Sequence, residues 1–175
     1  MATARSPGAR AIGAAHTGNL DEVRKDVDEL HSIHAQLLRD KKKYFAEAVD
    51  QDYKEASAWL AHAEGKNDEA LKTLRTIAEK EEAEGDEPLA MPAREMLADM
   101  LVEMNRPQEA LAEYETDLKF NPNRFDGLYG AAHSAELAGK NDKANTYYSQ
   151  LLQICSGSSS DRPELSHARQ LLAKN

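Results

Sequence analysis

Only one cysteine, Cys155, occurs in the chain, so no internal disulfide can form. It lies in the apolar context QLLQICSG without a neighbouring histidine or cation to activate it, and reads as a small packing residue rather than a nucleophile. Aromatic residues make up 6% of the chain, and no window alternates apolar and polar β-formers for long enough to make a strand. No run approaches the ~20 apolar residues of a membrane span. The N-terminal MATARSPGARAIGAAHTG has two arginines but no apolar centre, so no signal peptide is expected in it. Positive charge is also scarce. Lys and Arg number 22 against 31 Asp and Glu, for a formal net charge of −9. That balance argues against nucleic acid and against anionic membrane surfaces as partners. The one basic run, RDKKKY at 39–44, reads as a solvated stretch beside a helix junction.

Signatures of chemistry are missing too. No Gly-rich phosphate loop, G-x-S-x-G elbow or Cys-x-x-Cys pair is present. His31 and His34 in HSIHAQ share a helix face but have no third ligand nearby, so they read as surface histidines rather than a metal site. Carboxylates abound, and most should simply solvate helix faces. The expectation is a non-enzymatic chain with no catalytic residue, cofactor or metal.

What the sequence does contain is helix formers and a repeat. It is rich in Ala, Leu, Glu and Lys, which favour helix over strand. GKNDEALKTL at 65–74 and GKNDKANTYY at 139–148 open on the same turn. Val23, Ala70, Ala110 and Ala144 follow such turns, each with a larger or equal residue four positions on: Val27, Leu74, Tyr114 and Tyr148. Twelve before each lies Ala11, Ala58, Ala98 or Ala132, and five before lies Gly18, Gly65, Asn105 or Gly139. The pattern predicts helical hairpins. Gly or Asn takes the left-handed conformation that ends the first helix, and small residues on that helix let the second approach closely. Gly139 is thus expected at positive φ, with Ala98 and Ala132 buried. Asn19, Asn67 and Asn141 are placed to cap the second helices, and Pro107 suits a first helical turn.

The stretch REMLADMLVEMNRPQEALAEYETDLKFNPN resembles a tetratricopeptide repeat through Leu97-Ala98, Ala110-x-x-x-Tyr114 and Pro122. Ala110 and Ala144 are 34 residues apart, the period of that repeat, although Ser156 stands where the next closing proline would fall. Spacings of 47 from Val23 to Ala70 and 40 from Ala70 to Ala110 are longer. They predict extra helical turns at the first junction and an extended loop, KEEAEGDEPLAMP, at the second. The run from ASAWLAHAEGKNDEAL to NRFDGLYGAAHSAELAGKNDKA is also similar to the C-terminal region of uncharacterised bacterial tetratricopeptide proteins. That similarity implies further repeats ahead of residue 1 in the natural protein.

The resemblance implies an all-α, right-handed solenoid: a repeat array over 8–156, with hairpins at about 8–39, 43–84, 92–120 and 124–155, closed by a capping helix at 161–174. In that helix Asp161 and Glu164 are spaced as a capping box, Pro163 lies in the first turn, and Leu165, Ala168, Leu171 and Leu172 form an apolar stripe. Stacked hairpins of this family line a concave surface with their first helices. Projected onto it, Asp52, Glu55, Trp59 and His62 face inward from the second hairpin, Glu95, Asp99 and Glu103 from the third, and Tyr129, His133 and Glu136 from the fourth. Relatives that clamp a terminal carboxylate use Lys and Asn; this projected groove is acidic with scattered aromatics. The implied role is a protein-interaction scaffold or adaptor whose partner is a protein or peptide, specifically a basic one. Trp59 is a groove anchor or a core residue, and the irregular first junction favours core. The alternatives are a self-association module pairing through Ala11, Ile12 and Ala15, giving a homo-oligomer, and a small-ligand-binding regulatory domain.

Overall fold

A computed structural model of the chain describes residues 6–85, 91–156 and 161–173. Every regular element among them is an α-helix: α1 (Pro7–His16), α2 (Leu20–Arg39), α3 (Lys43–Ala63), α4 (Asn67–Glu84), α5 (Ala93–Glu103), α6 (Pro107–Phe120), α7 (Phe125–Leu137), α8 (Asn141–Ile154) and α9 (Pro163–Leu172). The chain divides into two compact units, Met1–Lys80 and Glu81–Asn175, and the division falls within α4.

The turns explain why the helices end where they do. Gly18, Gly65, Asn105 and Gly139 all have positive φ, between 55° and 81°. Each turn carries the same two backbone bonds. At the last one Gly139 N donates to Glu136 O at 3.0 Å and Lys140 N to Ala135 O at 2.8 Å. The same pairs recur as Gly18 to Ala15 with Asn19 to Ala14, Gly65 to His62 with Lys66 to Ala61, and Asn105 to Val102 with Arg106 to Leu101. This is the Schellman arrangement, which satisfies carbonyls that a helix end would otherwise leave free. The next helix starts at once. Val23, Ala70, Ala110 and Ala144 donate their N–H groups to the carbonyls of Asn19, Lys66, Arg106 and Lys140. A fifth turn of this kind joins α2 to α3 through Lys41, at φ 57°, and leaves the basic run around it exposed. The extra residues of the first spacing therefore lengthen α2 and α3 rather than adding a loop.

In the first unit α1, α2 and α3 pack on one another. The aliphatic residues Ala11, Ala14, Val23, Val27, Leu30 and Ala56 form their common core. Asp26 is fully buried there and is held by Arg10, which also reaches Glu29 at 2.7 Å. Of the residues expected on an exposed pairing surface, Ala11 is buried in this core, while Ile12 and Ala15 are half-buried.

In the second unit α5 packs on α6, α6 on α7, α7 on α8 and α8 on α9. Ala98 and Ala132 are fully buried, and so are Ala110, Tyr114, Ala144 and Tyr148. Tyr114 sits directly against Gly130, where a Cβ would come within 2.2 Å of the tyrosine Cζ. The end of α4 joins this unit through Glu81, which accepts from Ala93 N at 3.0 Å, and through Glu82, which pairs with Arg94. On α9, Leu165 and Ala168 are buried while Leu171 and Leu172 are half-buried.

Some local expectations are corrected. Residues 80–84, read as the start of a loop, continue α4; residues 86–90 of that predicted loop lie outside the described residues, as does residue 174 of the predicted capping helix. Asn19 caps α2 by accepting from Glu22 N, but Asn141 is the first residue of α8, whose N-cap, Lys140, provides no side-chain bond. Asn67 likewise begins α4, and its Oδ1 lies 2.9 Å from His62 Nδ1. The N-cap of α9 is Arg162, so Asp161 and Glu164 do not form a capping box. Cys155 is half-buried at the end of α8 rather than part of the core.

Two glycines separate packing cost from backbone cost. Gly130→Ala places a methyl into a buried ring and should destabilise by about 1–3 kcal/mol or more through overpacking. A Cβ added at Gly139 meets no atom within 4 Å, so the expected cost of Gly139→Val, ~1 kcal/mol or more, comes mainly from φ. Urea midpoints of both variants check this. Tyr114→Leu should cost less in the Gly130→Ala background than in the parent, and as much in the Gly139→Val background as in the parent.

Candidate functional site

Among the described residues, a cluster of chemically capable side chains lies where side chains of α7, α8 and α9 meet. Two of its members come from a single helical face: His133 and Glu136 are three residues apart on α7 and so point the same way. Tyr148 arrives from α8 and donates its hydroxyl to Glu136 Oε2 at 2.8 Å. His167 comes from α9, held in place by the burial of Leu165 and Ala168 and by Arg162, which lies 4.3 Å over the Phe125 ring. Its Nε2 donates to the same Glu136 Oε2 at 2.8 Å. Burial works against the charge on Glu136, but the bonds from His167 and Tyr148 outweigh it and hold the carboxyl below its usual range. The phenol of Tyr148 is pushed upward by burial and by this carboxylate, so it remains a donor.

Ring packing orders the cluster further. Tyr129 stacks on His133 with centroids 5.8 Å apart and planes 8° from parallel. The His133 and His167 rings meet edge to face at 6.2 Å, and Tyr148 meets His167 at 5.6 Å. His133, Glu136 and His167 each offer one ligating atom, and these atoms lie within 4.8 Å of one another. Tyr129, His133 and Glu136 were candidates from the sequence; His167 and Tyr148 were not. His167 is 31 residues beyond Glu136, and no spacing rule links two such positions before α9 is docked.

The other candidates do not form one free acidic surface. Trp59 is 1% exposed and packs against His16, with centroids 4.3 Å apart, so the core reading is the one observed. Glu55 is buried and accepts from Gln51. Asp52 lies against Gly8, near enough that a Cβ there would touch it at 3.4 Å, and burial raises its pKa. His62 is half-buried, 6.0 Å from Trp59. In the second unit Glu95 is 1% exposed and forms a bidentate pair with Arg124 at 3.0 and 3.1 Å. Asp99 accepts the Tyr114 hydroxyl, and burial together with that carboxylate pushes the phenol far upward. Glu103 is exposed. The projection placed Glu55, Trp59 and Glu95 on a surface, whereas close helix packing puts them inside.

A second polar group surrounds the Glu95–Arg124 pair. Asp117 is buried beside it and accepts from Asn121 at 2.9 Å, while its Oδ2 has no hydrogen-bond partner among the described residues. Gly127 leaves the room: a Cβ there would stand 3.3 Å from Glu95 Oε2 and 3.4 Å from Asp117 Oδ2. Burial raises Asp117 most, Asn121 pulls it down, Glu95 adds to the rise, and the carboxyl ends at about 6.

No protein-family model matches the chain, and no curated protein matches it. Among the described residues no helix is long and apolar enough to cross a membrane.

Because the folded pKa of Asp117 lies above its unfolded value, the protonated form stabilises the fold. That contribution is fully present below about pH 4 and is lost as pH rises through about 6. Asp117→Asn keeps a neutral group at all pH values. Relative to the parent it should gain stability between pH 4.5 and 7.5, by on the order of 1–3 kcal/mol. Urea denaturation at the two pH values checks this, and a difference that does not change with pH would mean that Asp117 is ionised throughout.

Proposed function

We propose that the chain is a non-enzymatic protein-interaction scaffold, built of tetratricopeptide-like hairpins wound as a right-handed solenoid and closed by α9. One observation carries this reading. The same turn and the same small-residue contact recur along the chain, at Gly18, Gly65, Asn105 and Gly139 and at Ala11, Ala58, Ala98 and Ala132. Repetition of this kind builds an extended surface from modules, each of which uses its repeated positions for packing. Asp26, Glu95 and Asp117, three of the buried ionisable groups, lie in contacts between helices, which favours a structural over a catalytic use for them.

The partner best matched to a chain of net charge −9 is a basic peptide or a basic patch on a protein. With Glu55, Trp59 and Glu95 internal, the projected residues of the second unit that reach the surface include the exposed Glu103 and the half-buried Tyr129. Trials against an array of Lys- and Arg-containing peptides, followed by fluorescence anisotropy on any hit, test the reading. Binding should weaken clearly between 20 and 150 mM salt, because complementary charge is screened over ~8 Å at physiological ionic strength. Glu103→Lys with Tyr129→Ala should lower affinity about tenfold while the helical circular dichroism signal stays unchanged, since loss of one ion pair and one cation–π contact removes ~1–2 kcal/mol. A peptide that binds the double variant as tightly as the parent would sink this choice of surface, and an array without a single hit would sink the basic-peptide reading.

A further inference from the structure

We propose that His133, Glu136 and His167 form a binding site for one divalent transition-metal ion of the zinc class, which fastens the C-terminal helix α9 to α7. The donor chemistry selects the metal. Two imidazoles and a carboxylate suit zinc and its neighbours cobalt and nickel, whereas calcium and magnesium prefer all-oxygen shells. Three protein ligands leave a fourth position for water, and the side chains are 35%, 30% and 39% exposed, so that position opens to solvent.

The spacing is close to what coordination requires. With metal–ligand bonds of about 2.0–2.2 Å, tetrahedral donors stand roughly 3.4 Å apart. Glu136 Oε2 is 2.8 Å from His167 Nε2 and 3.7 Å from His133 Nδ1, so the first pair must open slightly and the second close. Changes on the order of 1 Å, within reach of side-chain rotations, complete the geometry. The hydrogen bonds present do not account for every donor. His133 Nδ1 is buried and has no hydrogen-bond partner among the described residues, and a buried polar atom of that kind calls for an explanation. A metal ion supplies the missing partner. Tyr148 then acts from the outer shell: its hydroxyl fixes the Glu136 carboxylate, as such partners do for metal ligands generally. The stacked Tyr129 ring similarly holds His133 in orientation.

The site does not depend on the protein-binding reading, and its test uses the metal alone. The full chain, without an affinity tag and treated with chelator, is titrated with zinc chloride by calorimetry and with cobalt(II) by visible absorption. The expected result is one ion per chain, a cobalt spectrum of tetrahedral intensity, and a melting temperature that rises with zinc concentration. His167→Gln retains an amide that can reach Glu136 but removes the ligand, and should weaken zinc at least 100-fold with helix content unchanged. Tyr148→Phe preserves core packing and should weaken zinc about tenfold, the lower end of the range for outer-shell losses. His31→Ala with His34→Ala should bind like the parent. Absence of saturable binding would overturn the proposal. So would zinc affinity that survives His167→Gln but falls with the His31 and His34 changes.

Discussion

Contact between Tyr114 and Gly130 sets the spacing of three helices in the second unit. The ring lies against a position with no side chain, so α6 and α7 approach more closely than any other residue at 130 would permit. Its hydroxyl, also close to Gly130, donates to Asp99 on α5. A buried phenol beside a carboxylate stays protonated, which keeps the bond a one-way donation and the ring fixed. Dense packing of this kind tolerates little change in volume, and it leaves the neighbouring contacts at Ala98, Ala110 and Ala132 little freedom to differ.

Close helix packing has a consequence for charge. The chain is strongly acidic, yet the carboxylates that most resemble a ligand-binding row are already engaged. Arg124 stands at the start of α7, where α5 brings Glu95 to it, and Arg94 collects Glu82 and Glu113. Arg10 does the same for Asp26 and Glu29 in the first unit. The buried members, Glu95 with Arg124 and Asp26 with Arg10, do not necessarily add stability over an apolar contact, but breaking one leaves an uncompensated charge. They specify which helix faces which, and they take those carboxylates out of play as attractors for a partner. Other carboxylates, Glu103 among them, lie on exposed helix faces.

The α9 helix joins these themes. Its apolar residues Leu165 and Ala168 are buried where it packs on α8. The same docking delivers His167 to Glu136 and its edge-on ring to Tyr148. A packing element thereby assembles a group of polar side chains that no single helix contains.

The features legible in the sequence are those governed by neighbours a few residues apart. A glycine or asparagine at positive φ, two backbone bonds across a turn and the start of the next helix all lie within about six residues, so GKND at 65–68 and at 139–142 specifies them wherever it occurs. The register of small and large residues is equally local, because it follows from helical period alone. Two caps escaped that reading: Asn67 and Asn141 fit a cap as residue types, but the chain enters the helix one residue earlier, at Lys66 and Lys140. What tertiary structure alone decided is which side chains meet across helices: Glu95 with Arg124, Trp59 with His16, Glu136 with His167. Those partners lie 29 to 43 residues apart. Whether a carboxylate ends as a surface charge, a buried ion pair or a candidate ligand depends on helix separation and rotation, which are set by the sum of many packing contacts and by no short stretch of residues.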